Sequence, residues 1–128
     1  MTYLDELFSL QDKVAVVTGA TRGLGCAIAE AMVKAGATVI LVGSNEKRLD
    51  ETVASFKDEG LPAFPFRCDL ADPKQIEGLV EYVAEQHRRI DVLVNNAGVT
   101  FSADVLDYPD EAWRKTMQVN LNAPFQLS

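Results

Sequence analysis

Residues Thr18 to Gly25 read TGATRGLG, and Asn95 to Gly98 read NNAG. Gly19, Gly23 and Gly25 would let the backbone turn tightly and approach a pyrophosphate closely. The amides that open a following helix would then face the anion. The spacing is not the G-x-G-x-x-G of the common dinucleotide fingerprint. Nor is it a P-loop, because position 26 is Cys and no Lys-Ser/Thr pair follows. Other chemistries find less support. Cys26 and Cys68 lie far apart, in no metal-ligand spacing, and read as free buried thiols, so no metal site is expected. His87 is the single histidine, in AEQHRRI at an expected helix end, where a solvated surface role is expected.

The elements that must position these motifs follow from patterning. KVAVVTG is a valine-rich run ended by glycine and predicts a fully buried strand. Ala27, Ile28, Ala31, Met32 and Ala35 recur at helical spacing, and Gly36 ends that helix. ATVILV predicts the second strand, and NEKRLDETVASFKDEG the second helix, with Leu49, Val53 and Phe56 on one face. PAFPFRC is a weaker third strand, and Pro65 argues for an edge position. In ADPKQIEGLVEYVAEQ, Asp72 is a natural N-cap, Pro73 suits the first helical position and Gln75 completes a start resembling a capping box. Ile76, Leu79, Val80 and Val83 form its apolar face. IDVLVN is the fourth strand. After a loop with Pro109, an amphipathic stretch runs through Trp113 and Met117 to Leu121, with Trp113 as a packing residue.

Strands alternating with helices predict an α/β protein of the Rossmann type, a doubly wound parallel sheet. Right-handed crossovers favour the order 3-2-1-4, with the switch point between strands 1 and 4. Both motifs follow the carboxyl ends of those strands, where open parallel sheets bind ligands. Residues 1–128 read as one dinucleotide-binding domain, without repeat, linker or low-complexity tract.

The chain has 128 residues, 48% of them hydrophobic, and a net charge of −7. An acidic chain has no general attraction to nucleic acid, although a local basic pocket can still hold a phosphate. No segment approaches the length of a membrane span. MTYLDELFSLQDK lacks the basic and then apolar pattern of a secretory leader. The expectation is a cytoplasmic protein with neither membrane nor nucleic-acid partners.

TGATRGLG, CDLAD, NNAG and VNL occur in an order and spacing that resemble the short-chain dehydrogenase/reductase family, from Lys13 to the last residue. The LFSL lead-in is similar to the bacterial branch that includes gluconate 5-dehydrogenases and 3-oxoacyl-carrier-protein reductases. The resemblance implies an oxidoreductase that moves a hydride between NADP(H) and a small carbonyl or hydroxyl substrate, working as a homo-oligomer. It implies that Gly19, Thr21, Arg22 and Leu24 line the pyrophosphate and adenosine ribose, with Gly23 and Gly25 permitting close packing. Asp69 would receive the adenine amino group, with Leu70 beside the ring. Asn96, Ala97 and Gly98 would form the cofactor floor, Val119 would flank the cofactor, and Asn95 would brace the central strands. Asn120, in VNL, matches the family's catalytic asparagine, which organises a proton relay. The residues alone leave Asp69 open as a turn residue before the Asp72 cap, and Asn120 open as a helix-interior hydrogen bonder.

An NAD site usually ends its second strand on an acidic residue that grips the ribose hydroxyls. Here Gly43, Ser44 and Asn45 occupy that end, and Glu46 starts the next helix. Arg22 could offer forked donors to a 2′-phosphate, with neutral hydrogen bonds from Ser44 and Asn45. NADP is therefore favoured over NAD. Lys47 and Arg48 read as helix-surface charges.

The family's proton transfer uses a serine and a Tyr-x-x-x-Lys pair. Tyr3, Tyr82 and Tyr108 have no lysine at that spacing, and Ser102 follows NNAG too closely. The expectation is the front part of a larger fold, truncated before the later strands, with an apolar edge open on strand 4. Such a chain would lack turnover. Two other readings are a stand-alone NADP-binding module and a methyltransferase or sugar-nucleotide epimerase on a similar sheet. The missing acidic residue after strand 2 and the glycine spacing argue against the last.

Overall fold

The computed structural model describes residues 1–128. A short helix α1 (Tyr3–Phe8) precedes β1 (Val14–Thr18), α2 (Gly23–Lys34), β2 (Thr38–Gly43), α3 (Glu46–Asp58), β3 (Phe64–Arg67), α4 (Pro73–His87) and β4 (Val92–Val94). A 3₁₀ turn (Val105–Asp107) leads into α5 (Asp110–Met117), a π turn (Gln118–Asn122) and α6 (Ala123–Leu127). The four strands are parallel, in the order β3-β2-β1-β4. This is the doubly wound α/β architecture that the alternating patterns predict. Val16 pairs with Ile40 on one side and with Leu93 on the other. Pro65 lies opposite Leu41 on the edge strand β3, where a missing N–H is tolerated.

Strand side chains alternate between two faces, so the sheet builds two cores. Val14, Val16, Ile40 and Val42 point to the face covered by Ile76, Leu79 and Val83 of α4 and by Val119 and Ala123. Ala15, Val17, Val39 and Leu41 point to the other face, covered by Ala29 and Val33 of α2 and by Leu49 and Phe56 of α3. Thus α2 and α3 lie on one side and α4 and the C-terminal helices on the other. No helix is long and apolar enough to cross a membrane.

Several side chains depart from the patterned expectation. The buried stripe of α2 is Gly25, Ala29 and Val33, while Ala27 and Ala31 are exposed. Gly25 is pressed against the turn after β1, and this contact sets the rotation of the helix. Val80 is 41% exposed, because it lies off the line through Ile76, Leu79 and Val83. Trp113 is 58% exposed rather than packed, since α5 buries no residue and the π turn brings Val119 and Ala123 inward instead. His87 ends α4, yet it is half-buried. It packs edge-on against Phe64 and Tyr82, and its Nε2 is buried without a partner. Of the two free thiols, Cys68 is buried and Cys26 half-buried.

Helix α1 has no counterpart among the expected elements. Thr2 and Asp5 close a capping box at its start. At α4, Asp72 is the N-cap and accepts the Lys74 N–H, with Pro73 in the first turn. Gln75 does not close a capping box. The Asp72 N–H is already donated to the Asp69 carbonyl, so Gln75 Oε1 accepts the Asp69 N–H at 2.8 Å instead.

Candidate functional site

At the carboxyl ends of β1, β2 and β4 the surface opens into a cleft of about 490 Å3. The turn from β1 into α2 forms its base. Gly19 has φ +63 and Gly23 has φ +57, a region that side-chain-bearing residues rarely adopt. A Cβ at Gly23 would meet nothing within 4 Å of the protein, so this glycine leaves open space at the mouth of the turn. A Cβ at Gly25 would overlap the Gly19 carbonyl oxygen and the Asn96 side chain. Gly25 therefore serves the helix–turn contact rather than the cleft, and it does not line the cavity.

The floor comes from the loop after β4. Thr18 Oγ1 accepts the N–H groups of Asn96, at 3.1 Å, and Ala97, at 3.0 Å, and lies 3.3 Å from the Val94 carbonyl. Asn96 Nδ2 donates to the carbonyls of Thr18 and Gly19, each at 3.1 Å. The bracing expected of Asn95 is thus made by Asn96. Asn95 is exposed and makes no side-chain hydrogen bond, because it lies one residue too early to reach the β1 turn. Thr18, at 1% exposure, is a pivotal residue that sequence reasoning passed over. Its signal was a hydroxyl ending a run of valines at the motif's first position.

Gly19, Thr21, Arg22, Gly23, Ser44, Asn45, Asp69, Leu70, Asn96, Ala97, Gly98 and Val119 all line the cleft. Leu24 does not; it is 71% exposed on the outer face of α2. Asn45 caps α3, its Oδ1 accepting the Arg48 N–H at 3.0 Å, so its amide nitrogen is the group left for a ligand. Asp69 Oδ1 accepts the Ala71 N–H at 2.9 Å, which leaves the second carboxylate oxygen unused by the fold. Both the turn role and a ligand role are therefore open to Asp69.

Arg48, read from sequence as a surface charge, also lines the cleft, and so does Lys115. Together with Arg22 they place three cations around one carboxylate, Asp69. None of the three is in an ion pair. The acidic chain thus carries a locally positive cleft, suited to phosphate. Lys47, by contrast, lies on the surface opposite Glu51. Buried Cys68 forms part of the wall. Burial first, and then the charges of Asp69 and Asp72, push its thiol up to about 11, so it is protonated and unreactive at neutral pH.

Asn120 stands behind the floor. Its Oδ1 accepts the Val99 N–H and its Nδ2 donates to the Val99 carbonyl, both at 2.8 Å. The side chain thus commits one donor and one acceptor site to this loop and keeps a second N–H and a second lone pair for other partners.

A parallel sheet with a glycine-based, cationic cleft at its switch point places this chain among the doubly wound α/β proteins that take ligands at the carboxyl ends of their strands. Residues 13–128 match the family model for short chain dehydrogenase, and the chain belongs to that family. The 2-dehydro-3-deoxy-D-gluconate 5-dehydrogenase of Bacillus subtilis (strain 168) is 39% identical over 128 residues, all of this chain and 50% of the relative. Dehydrogenase/reductase SDR family member 4 of Homo sapiens is 36% identical, over 90% of this chain and 42% of the relative. Among solved structures, L-sorbose reductase from Gluconobacter frateurii, complexed with NADPH and L-sorbose, aligns with a TM-score of 0.88. It shares 34% identity over 94% of this chain and 46% of that one. A metagenomic short-chain oxidoreductase in complex with NADP aligns with a TM-score of 0.86 and 37% identity, over 91% of this chain and 53% of that one. The chain spans about half the length of the relatives it matches.

Proposed function

We propose that this chain forms the NADP-binding part of an NAD(P)-dependent oxidoreductase acting on a small carbonyl or alcohol substrate. The observation that carries the reading is the end of β2. Ser44 and Asn45 stand there without a carboxylate, and Arg22 and Arg48 line the same cleft. A 2′-phosphate would meet cations and neutral donors, with no carboxylate at the end of β2 to repel it. The glycine turn fits the rest of the group, since Gly23 leaves its mouth open and the N-terminal amides of α2 follow.

In this reading Gly19, Thr21 and Gly23 bind the pyrophosphate side, and Arg22, Ser44, Asn45 and Arg48 the phosphorylated ribose, while Leu24 lies outside the cleft and takes no part. Asp69 and Leu70 receive the adenine. Asn96, Ala97, Gly98 and Val119 hold the far end, and Asn120 fixes the loop beneath it. Bound there, the nicotinamide ring supplies two-electron exchange with a carbonyl or alcohol carbon. No Tyr-x-x-x-Lys pair is present to move the accompanying proton, so these residues bind and orient without turnover on their own. The exposed Trp113, Leu121 and Phe125 support self-association, as a homo-oligomer.

Calorimetric titration of the 128-residue chain with NADPH and NADH tests the reading. NADPH is expected to bind about tenfold more tightly or better, as a charge-assisted contact to one phosphate provides. Absence of binding, or equal affinities, would overturn the NADP assignment. Carbonyl reduction by the purified chain would overturn the assignment of turnover to groups outside it.

A further inference from the structure

The turn that carries Asn120 departs from α-helical geometry. Gln118–Asn122 form a π turn, closed by the Ala123 N–H donating to the Gln118 carbonyl. Such turns are rare and concentrate at functional sites. Pro124 has no N–H, so the Asn120 carbonyl lacks the donor that an α-helix would supply four residues on. The wider turn sends three consecutive side chains to three destinations. Gln118 Nε2 donates to the Leu70 carbonyl at 3.2 Å. Val119 is buried in the core that contains Cys68 and Leu70. Asn120 holds Val99 through two bonds of 2.8 Å.

Leu70 and Val99 both line the cleft, on segments far apart in the chain. The Leu70 loop is otherwise held from its own side. Asp69 N–H donates to Gln75, Ala71 N–H donates to Asp69, and Cys68 N–H donates to the Gly43 carbonyl. Gln118 supplies the side-chain bond that ties this loop to the Asn120 turn. Its own amide is oriented in turn, because Gln118 Oε1 accepts from Asn122 Nδ2 at 3.3 Å.

We propose that Gln118 is a positioning residue that couples the two walls of the cleft, so that a ligand on the Leu70 side tightens the Asn120–Val99 clamp. The proposal rests on the cofactor reading, in which the Leu70 side receives the adenine. The test uses ADP, which carries no nicotinamide, and reads hydrogen exchange of the Val99 amide in the full chain. In the parent, saturating ADP is expected to slow that exchange about fivefold, the lower range of coupling between sites. Gln118→Met and Gln118→Glu each remove the donor at similar length. Whichever variant keeps the parent's urea midpoint is expected to bind ADP yet lose the effect on Val99. A purely structural Gln118 would leave the ADP effect intact in a folded variant, and that result overturns the coupling. Binding of ADP to the parent with no change at Val99 overturns it too. Failure of ADP to bind the parent overturns the cofactor reading itself, a separate outcome.

Discussion

Thr18 Oγ1 accepts the Ala97 N–H at 3.0 Å, joining the end of β1 to the loop after β4. The same oxygen accepts the Asn96 N–H at 3.1 Å. One buried hydroxyl therefore satisfies two part-buried amides. Thr18→Val keeps the shape and abandons both donors, at a cost of about 2–4 kcal/mol. Thr18→Ser keeps the hydroxyl and is expected to lose less than about 1 kcal/mol by comparison. Urea unfolding of the three chains checks the difference. Equal losses for Val and Ser would mean that packing, not hydrogen bonding, holds this corner.

Gly25 and Gly23 make opposite predictions from one motif. A methyl group at Gly25 would overlap backbone at Gly19, which cannot move away cheaply. Gly25→Ala is expected to destabilise the fold by about 3 kcal/mol or more. Gly23→Ala meets no protein atom and bears only the left-handed backbone penalty, about 1–2 kcal/mol. Its larger effect is expected on NADPH affinity, because the methyl would project into the open mouth of the turn. Unfolding and calorimetry measured on both variants separate the two roles.

Most of the sheet was legible in the sequence, because valine-rich runs ended by glycine alternate with helical patterns. Side-chain destinations were less legible. The partner of Thr18 lies 79 positions away, and nothing local in TGATRGLG specifies it. Arg48 reads as a surface charge on helical periodicity alone; it faces the cleft because Asn45 caps α3 and fixes where the first turn points. Gln118 was invisible for the same reason. Its role depends on a π turn, and hydrophobic spacing carries no signal for one.

Arg22 and the end of β2 should decide cofactor preference. Arg22 caps α2 by backbone alone, with no side-chain hydrogen bond, so its guanidinium is free for a ligand. Arg22→Ala is expected to weaken NADPH binding about tenfold to a hundredfold and to leave NADH nearly unchanged. Ser44→Asp places a carboxylate where a 2′-phosphate would lie, and should shift preference toward NADH. Equal losses for both cofactors in Arg22→Ala would remove the phosphate role.

The two thiols should differ in reactivity. Cys68 is 1% exposed, and its thiol is pushed up to about 11 by burial and then by Asp69 and Asp72. Cys26 is half-buried, and its thiol is raised by burial and then by Glu30 and Glu59. With iodoacetamide at neutral pH, Cys26 is expected to be modified first and Cys68 only through transient opening. Peptide mass mapping over time reads the order, and faster labelling of Cys68 would contradict its burial.

Asp91 should make acid stability depend on one carboxylate below the sheet. Its Oδ2 accepts the Val14 N–H at 2.8 Å and the Arg89 Nε–H at 2.7 Å, while Oδ1 accepts from Arg89 Nη2 at 2.9 Å. Arg89, and then the Val14 amide, hold its carboxyl below the ordinary value of 3.8. A carboxylate with a lowered folded value binds more protons when unfolded, so its stabilisation is present above the unfolded value. It is lost as the pH falls through the lower folded value. The Val14 contact gives the effect a structural consequence, because protonation weakens the acceptor at the first residue of the central strand β1. Asp91→Asn is expected to destabilise the chain at neutral pH and to flatten the decline in urea midpoint between about pH 5 and pH 2. The site is solvent-exposed, so added salt should shrink the Arg89 part more than the Val14 part. An acid limb of unchanged slope in Asp91→Asn would transfer the pH dependence to other carboxylates.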